Sequence, residues 1–132
     1  MASIFTRIIN GEIPCHKVAE DADFLAFLDI NPLQKGHTLV VPKVETDYIF
    51  DLDDELLSRM IIFSKKVAAA IRKSYPCNRV AVIVLGLEVP HAHIHLIPMD
   101  SMEDVNFRNP KLKFSPAEFS ETASVISKNL IL

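Results

Sequence analysis

The sequence predicts one globular domain that combines α-helices with β-strands. The chain has 132 residues, close to the commonest domain size, and 49% of them are hydrophobic while 23% are charged. Some stretches repeat apolar residues every three to four positions, as helices do, and others are short, apolar and rich in β-branched residues, as strands are. The chain shows no internal repeat, linker or low-complexity tract. We therefore expect residues 1–132 to form a single domain.

The first half of the chain predicts a short helix followed by strands. Apolar residues at helical spacing follow Ile4, and Asn10-Gly11 ends the pattern. Residues 17–20 and 23–30 indicate two strands joined by a tight hairpin. Residues 37–42 are β-branched and end at a proline, which favours a third strand.

The second half predicts a long helix, two more strands and a final helix. Acidic residues from Asp51 mark a helix start, and the apolar pattern continues to about Lys73. That pattern is wider than one face of a helix needs, so we expect this helix to lie in a homodimer interface. Residues 79–85 have the length and composition of a strand. Residues 116–128 predict a C-terminal helix, because Ser115 and Glu118 form a capping pattern.

The most informative stretch contains three histidines at every second position, His91, His93 and His95. Side chains at every second position of a strand leave the same face, so a strand over residues 91–98 would align three imidazoles. Pro90 and Pro98 bound this stretch. Packing alone does not readily explain such a row, because each buried ring needs hydrogen-bond partners.

Two chemistries fit the histidine row, and spacing alone leaves both open. A neutral imidazole can attack phosphorus while its neighbours donate protons to the phosphate or the leaving group. Alternatively, two or three rings can bind zinc, with Glu88 as a nearby carboxylate and His37 as a fourth ring.

Other candidate residues also have two interpretations. Asp29 follows a predicted strand, where a carboxylate often closes a turn, although it can also accept hydrogen bonds from a sugar diol. Phe5 and Ile8 can cover an edge of the core or form the floor of a pocket. The residue types favour a turn for Asp29 and do not decide between the alternatives for the first helix.

Charge and cysteine usage exclude several classes of protein. The formal net charge is −3, so no general basic field would hold a nucleic acid backbone. Cys15 and Cys77 are isolated, and the first residues lack an apolar signal core, which favours a reduced cytoplasmic protein. No apolar stretch approaches the ~20 residues that cross a bilayer, so we expect no membrane association.

The stretch His91-Ala92-His93-Ile94-His95-Leu96-Ile97 resembles the signature of the histidine-triad (HIT) family. Residues 3–14, 24–32 and 36–43 resemble the nucleotide-binding half of its nucleoside phosphoramidase-like branch. The resemblance covers roughly residues 3–99. It implies an α+β fold with a five-stranded antiparallel sheet, a long central helix and usually a homodimer. It also implies hydrolysis or transfer of nucleoside monophosphate groups from a purine nucleotide or another nucleoside phosphate conjugate.

The resemblance also implies a role for each candidate residue. His93 is similar to the nucleophile that takes the nucleotidyl group, and His91 to the residue that orients the triad. His95 and His37 resemble the histidines around the phosphate and leaving group. Asp29 resembles the ribose-binding carboxylate, which reverses the preference for a turn. The positions that line the base pocket in the family correspond here to Phe5, Ile8, Phe27, Leu28 and Ile30.

The chain also departs from the family pattern. A longer glycine-rich loop that ends in Gly-Gln is reduced here to residues 85–88, with Leu87 in place of the glutamine. A polar contact to the phosphate is thereby lost, and Glu88 would repel an anionic substrate if it pointed inward. Ser3 and Thr6 stand where some bacterial members have zinc-binding cysteines, so we expect neither this zinc nor any cofactor.

Overall fold

The computed structural model describes residues 2–131 and has an α+β fold, as the sequence predicts. The elements in chain order are α1 (Ile4–Ile9), β1 (Lys17–Glu20), β2 (Phe24–Leu28), β3 (Thr38–Pro42), α2 (Asp54–Ser74), β4 (Arg79–Ile83), β5 (Ile94–Met99) and α3 (Pro116–Lys128). Short 3₁₀ turns cover Ile49–Asp51 and Met102–Val105. The expected five-stranded antiparallel sheet, long central helix and C-terminal helix are confirmed.

The five strands form one antiparallel sheet in the order β1-β2-β3-β5-β4. Strand β5 therefore lies between β3 and β4, and Leu39 on β3 is directly opposite His95. Because the sheet is antiparallel throughout, hairpins and longer connections bring β3 and β5 side by side. This pairing places His37, just before β3, beside the histidines of β5.

Alternation along the strands separates the sheet into two apolar faces. On one face, Val40, Ile94 and Leu96 pack with α2 and α3. On the other face, Phe27, Leu39 and Val41 pack with Phe5 of α1. Since side chains alternate with a period of two, His93 and His95 lie on the second face, away from the long helices. We call these the helix side and the histidine side.

Helix α2 begins where Asp53 caps it, since the Asp53 carboxylate accepts a hydrogen bond from the backbone N–H of Leu56. Met60, Phe63, Val67 and Ile71 are almost completely buried. Burying each of these large apolar side chains contributes about 1.5–3 kcal/mol. The helix thus anchors the sheet from the helix side.

Helix α3 has the bounds that the sequence predicts, and the structure supplies its packing partners. Ser115 and Glu118 form the expected reciprocal capping box. Phe119 and Ala123 pack into the helix-side core, and the ring of Phe119 stacks on His16 at 5.1 Å between centroids. Helix α3 contacts α2, β1 and β2, so it closes one end of the core.

The predicted strand over residues 91–98 is wrong at its start. Strand β5 begins at Ile94, so His91 and His93 precede it, and Pro98 lies inside it. The reason lies in the neighbouring strand: Pro42, the last residue of β3, has no backbone N–H and cannot extend the ladder. The backbone N–H of Ala92 instead donates to the carbonyl of Thr46 at 2.6 Å.

Cys15 and Cys77 are both free thiols in the structure. Over residues 2–131, none of the helices combines the length and apolar character needed to cross a membrane.

Candidate active site

The ring of His93 is oriented by the backbone immediately before it. Its Nδ1 lies 2.8 Å from the carbonyl oxygen of His91, and because a carbonyl only accepts, Nδ1 must carry the proton. In the neutral ring, Nε2 then has a free lone pair. The rings of Phe5 and His93 meet edge-to-face, with centroids 5.0 Å apart. His93 thus presents a nucleophilic nitrogen in a fixed direction.

His95 is oriented by a chain of hydrogen bonds that begins at a backbone amide. The N–H of Leu33 donates to Nδ1 of His37 at 3.0 Å, so the proton of the neutral His37 ring lies on Nε2. His37 Nε2 in turn lies 3.0 Å from Nδ1 of His95 and donates to it. The proton of neutral His95 is therefore on Nε2. We call this chain the Leu33–His37–His95 relay.

The outward nitrogens of His93 and His95 face solvent. Their ring centroids are 5.1 Å apart, and the residues are only 6% and 7% exposed. Within residues 2–131, no protein atom is hydrogen-bonded to Nε2 of either ring, and no buried side-chain nitrogen lacks a partner. Both Nε2 atoms must then reach solvent. The arrangement offers a lone pair beside an N–H donor, which suits attack on a phosphate and binding of its oxygens.

His91 differs because both of its ring nitrogens have protein partners. Nε2 donates to the carbonyl of Pro42 at 2.8 Å, and Nδ1 accepts from the Ser3 hydroxyl at 2.8 Å. The residue is completely buried. Its carbonyl holds His93, so the position of His91 sets the position of His93.

Glu45 extends the contacts of His91 to helix α1. Its carboxylate accepts from the backbone N–H of Ser3 at 2.6 Å and from the Thr6 hydroxyl at 2.7 Å. These two bonds hold the pKa of Glu45 at about 2, below its ordinary value. We call Ser3, Thr6, Glu45 and His91 the N-terminal clasp.

Burial favours the neutral form of His37, His91 and His95 by lowering the pKa of each ring. It lowers the pKa of His37 to about 3, with a further contribution from His95. It also lowers the pKa of His95 to about 4, assisted by His93, and it lowers the pKa of His91. Neutral rings are the state in which the tautomers above hold.

The predicted base-pocket residues are separated by the sheet. Phe5 and Phe27 meet on the histidine side, with ring centroids 5.7 Å apart, and Ile8 packs against them. Leu28 lies in the helix-side core, because consecutive strand residues face opposite sides. Ile30 is 66% exposed just beyond β2.

Asp29 combines a turn contact with a position near the relay. One carboxylate oxygen accepts from the backbone N–H of Asn31 at 2.8 Å, which is the turn role considered above. The other lies 3.5 Å from His37 Nε2. Burial raises the pKa of Asp29, and exposed Glu88 raises it further. Glu88 therefore lies within electrostatic range of the site.

Asp29, His37 and His95 are close enough to hold a metal ion, since their candidate ligand atoms lie within 4.8 Å of one another. The relay opposes this. A neutral histidine that binds metal through Nε2 must carry its proton on Nδ1. Nδ1 of His37 faces the N–H of Leu33, so two donors would then point at each other. The donor set does not fit a zinc ion bound through His37 Nε2.

The sequence did not identify three contributors to the site. The Leu33 N–H is a main-chain group and leaves no mark in residue type. Glu45 lies in a loop after β3, where an acidic residue is unremarkable. Phe107 places its ring edge-to-face with His95 at 5.1 Å between centroids. A phenylalanine in a mostly polar, irregular stretch was the only signal that the sequence offered for it.

Comparison with known proteins assigns the family. The model of the HIT domain matches residues 10–102. The adenosine 5′-monophosphoramidase of Schizosaccharomyces pombe is 36% identical over 132 residues, covering 98% of this chain and 99% of that protein. A Hit-like protein from Bartonella henselae has a TM-score of 0.84 at 32% identity, covering 97% of this chain and 96% of that one. A zinc-bound histidine triad family protein from Mycobacterium smegmatis has a TM-score of 0.82 at 26% identity, covering 98% and 93%.

The family model spans most of the chain, and the relatives match it almost from end to end. The chain belongs to the HIT family.

Proposed function

We propose that this protein is a nucleotide hydrolase or nucleotidyl transferase that cleaves small nucleoside phosphate conjugates at the α-phosphate. The observation that carries the proposal is the free Nε2 of His93 beside the donor Nε2–H of His95. The name of the Schizosaccharomyces pombe relative supports the substrate class. Adenosine 5′-phosphoramidate is therefore the first substrate to test.

In the proposed reaction, the lone pair of His93 Nε2 attacks phosphorus. A phosphorus–nitrogen bond forms while the bond to the leaving group breaks, and a departing amine takes its proton from solvent. The neutral His95 donates its Nε2–H to a phosphoryl oxygen. Water then attacks phosphorus, loses a proton to solvent, and returns the electron pair to His93 Nε2.

The remaining predicted residues would hold and orient the nucleotide. Phe5, Ile8 and Phe27 form an apolar surface beside His93 that suits a purine base. Asp29 would accept from the ribose hydroxyls with the oxygen that its turn leaves available. Leu28 supports this surface only from behind the sheet, and exposed Ile30 would close over the base.

His91 would orient His93 through its carbonyl, and Glu88 would lie at the rim of the site.

The experiment that tests this proposal is direct capture of the intermediate. Wild-type protein is mixed with adenosine 5′-phosphoramidate, quenched in alkaline denaturant within milliseconds, and weighed by intact mass spectrometry. We expect an added adenylyl group on wild type and none on His93→Ala. Turnover by wild type without any adduct, together with full activity of His93→Ala, would show that His93 is not the nucleophile.

A nucleotide-binding sensor with weak catalysis is the second candidate, and the loop before the triad favours it. Leu87 is 96% exposed and Glu88 is also exposed, so this short loop offers no side-chain donor to a phosphate. A dissociation constant for AMP in the micromolar range with negligible phosphoramidate turnover would support the sensor. Fast turnover would exclude it.

We also propose that the protein is a single cytoplasmic domain that forms a homodimer through α2 and the neighbouring edge strand β4. Ile61 and Ile62 of α2 are about half exposed, at 49% and 53%, and Val82 of β4 is 53% exposed. Neighbouring apolar side chains of this size commonly mark an interface. Light scattering at micromolar concentration should give twice the monomer mass, and a monomer would contradict the proposal.

A further inference from the structure

The segment between β5 and α3, residues 101–115, contacts the relay through Phe107. The ring of Phe107 meets His95 edge-to-face at 5.1 Å between centroids, and it approaches His37 at 6.4 Å. Phe107 therefore brings this segment against the two rings of the relay. We call this stretch the covering segment.

The covering segment is fixed to the loop that precedes β3. The N–H of Leu112 donates to the carbonyl of Pro32 at 2.8 Å, and Gln34 Nε2 donates to the carbonyl of Asp104 at 3.3 Å. Within the segment, Asn109 Nδ2 donates to the carbonyl of Glu103 at 2.8 Å. The same loop supplies the Leu33 N–H, so the covering segment and the relay share one support.

Lys111 places a positive charge on the covering segment. Its Nζ donates to the carbonyl of Phe107 at 2.6 Å and to that of Asn109 at 3.1 Å. An ammonium has three N–H donors, so one remains for a ligand. The charge also reaches the site, because Lys111 lowers the pKa of both His37 and Asp29.

We propose that Lys111 forms a subsite for negative charge on the departing group, so that preferred substrates are nucleotides with an anionic leaving group such as a phosphate. This inference rests on the proposed function, since it assumes that a nucleotide lies against His93. The position of Lys111 carries it: the ammonium donates to the carbonyl of Phe107, whose ring lies against His95, one of the two histidines that the family resemblance associates with the phosphate and the leaving group.

The surrounding charges explain why such a subsite would matter. The chain has a net charge of −3, and Asp29 and Glu88 both lie near the site. An anionic leaving group would be repelled unless a cation offset these carboxylates. Negative charge also grows on the leaving oxygen as its bond to phosphorus breaks, so a nearby ammonium would stabilise the transition state more than the ground state.

The test is calorimetric binding of two ligands that differ by one phosphate. AMP and α,β-methylene-ADP share the base, ribose and α-phosphate, and the methylene bridge prevents turnover. Lys111→Ala should weaken α,β-methylene-ADP binding about three- to fivefold, the range for an exposed charge pair, and leave AMP binding within twofold. Lys113→Ala is the matched control, because it removes an equal exposed charge from the same segment. It should leave both constants within twofold.

Each outcome decides a different point. If both ligands bind wild type and Lys111→Ala weakens both equally, weakens neither, or matches Lys113→Ala, the subsite is refuted and the proposed function stands. If neither ligand binds wild type, the proposed function fails and the subsite fails with it. A selective loss for α,β-methylene-ADP that shrinks in 0.5 M salt would establish the subsite, because added salt screens an exposed charge pair.

Discussion

His91 and the His93–His95 pair are neighbours in the chain, but their ring nitrogens have different surroundings. Both nitrogens of His91 are hydrogen-bonded within the protein, to Ser3 and Pro42. His93 and His95 each use only Nδ1, and their Nε2 atoms face solvent. The same residue type therefore serves the fold at one end of the row and is available for chemistry at the other. What decides is the number of partners, which alternating sequence positions do not reveal.

The sharpest way to break this comparison is to remove only the free nitrogen of His93. In His93→Asn, the side-chain amide can still donate to the carbonyl of His91, as Nδ1 does now, but no nucleophile remains. Turnover of adenosine 5′-phosphoramidate should fall at least ~10³-fold, a loss of about 4 kcal/mol of transition-state stabilisation. Denaturant unfolding should stay within about 1 kcal/mol of wild type, since one neutral hydrogen bond has a small net value. A stable variant with full turnover would refute the role of His93.

The corresponding change at His91, whose two ring nitrogens both have protein partners, should lower the free energy of unfolding. In His91→Phe, the carbonyl of Pro42 and the hydroxyl of Ser3 lose their buried partner. Each unsatisfied buried group costs about 1–3 kcal/mol, so we expect the loss of two partners to lower the free energy of unfolding by about 2–6 kcal/mol. Urea unfolding measures this, with His93→Asn as the reference. An unchanged midpoint would mean that the N-terminal clasp does not support the fold.

Acid should destabilise the fold through the buried histidines at a higher pH than through Glu45. The folded pKa values of His37 and His95, about 3 and about 4, lie below the unfolded value near 6.5. Between these values only the unfolded chain takes up protons, so stability is full above ~6.5 and falls below it, by about 2 kcal/mol per histidine at pH 5. His91 acts in the same direction.

Glu45 should lose its contribution to stability only in a lower pH range. Its folded pKa of about 2 lies below its ordinary value, so its contribution is present above ~4.5 and is lost as the pH falls further. Urea unfolding from pH 8 to pH 4 should show the histidine loss in both wild type and Glu45→Gln. If stability begins to fall only below pH 4.5, the pKa values of His37 and His95 are not lowered in the folded protein.

The smallest expected effect is the difference in stability loss between two variants, Ser3→Ala and Ser115→Ala, each of which removes a serine that caps a helix. Ser3 caps α1 and also donates to His91, whereas Ser115 caps α3 far from the histidines. Losing a cap costs about 1 kcal/mol, so Ser115→Ala should lose about that amount. Ser3→Ala should lose about 1 kcal/mol more, because Nδ1 of buried His91 keeps only the Thr6 hydroxyl at 3.4 Å, and that hydroxyl already donates to Glu45. Equal losses would show that the Ser3–His91 bond adds nothing.

Much of the fold could be predicted because residues close together in the sequence determine where its helices begin. The capping pattern of Ser115 and Glu118 marked the start of α3, and the acidic start of α2 marked its beginning within a few residues. The start of β5 could not be predicted from its own residues, since it depends on Pro42 of a partner strand that is distant in sequence. Alternation along β2 could have shown that Phe27 and Leu28 face opposite sides.

For the site, the sequence could predict which histidine side chains come together, but not how their ring nitrogens are protonated. The spacing of His93 and His95 correctly brought two rings together, whereas their tautomers depend on the carbonyl of His91 and the N–H of Leu33. Phe107 and Lys111 reach the site from an irregular stretch with no periodic pattern. Contacts made by the main chain, or by irregular segments, leave little trace in residue type.

The Leu33 N–H has one further consequence, for how this site could be altered. Because the donor belongs to the peptide backbone, every residue except proline supplies it, and substitutions at position 33 would vary in size without changing the protonation pattern. An engineer who wished to convert these histidines into a metal-binding centre would have to reroute the main chain there, starting with Leu33→Pro, before any ligand exchange could succeed.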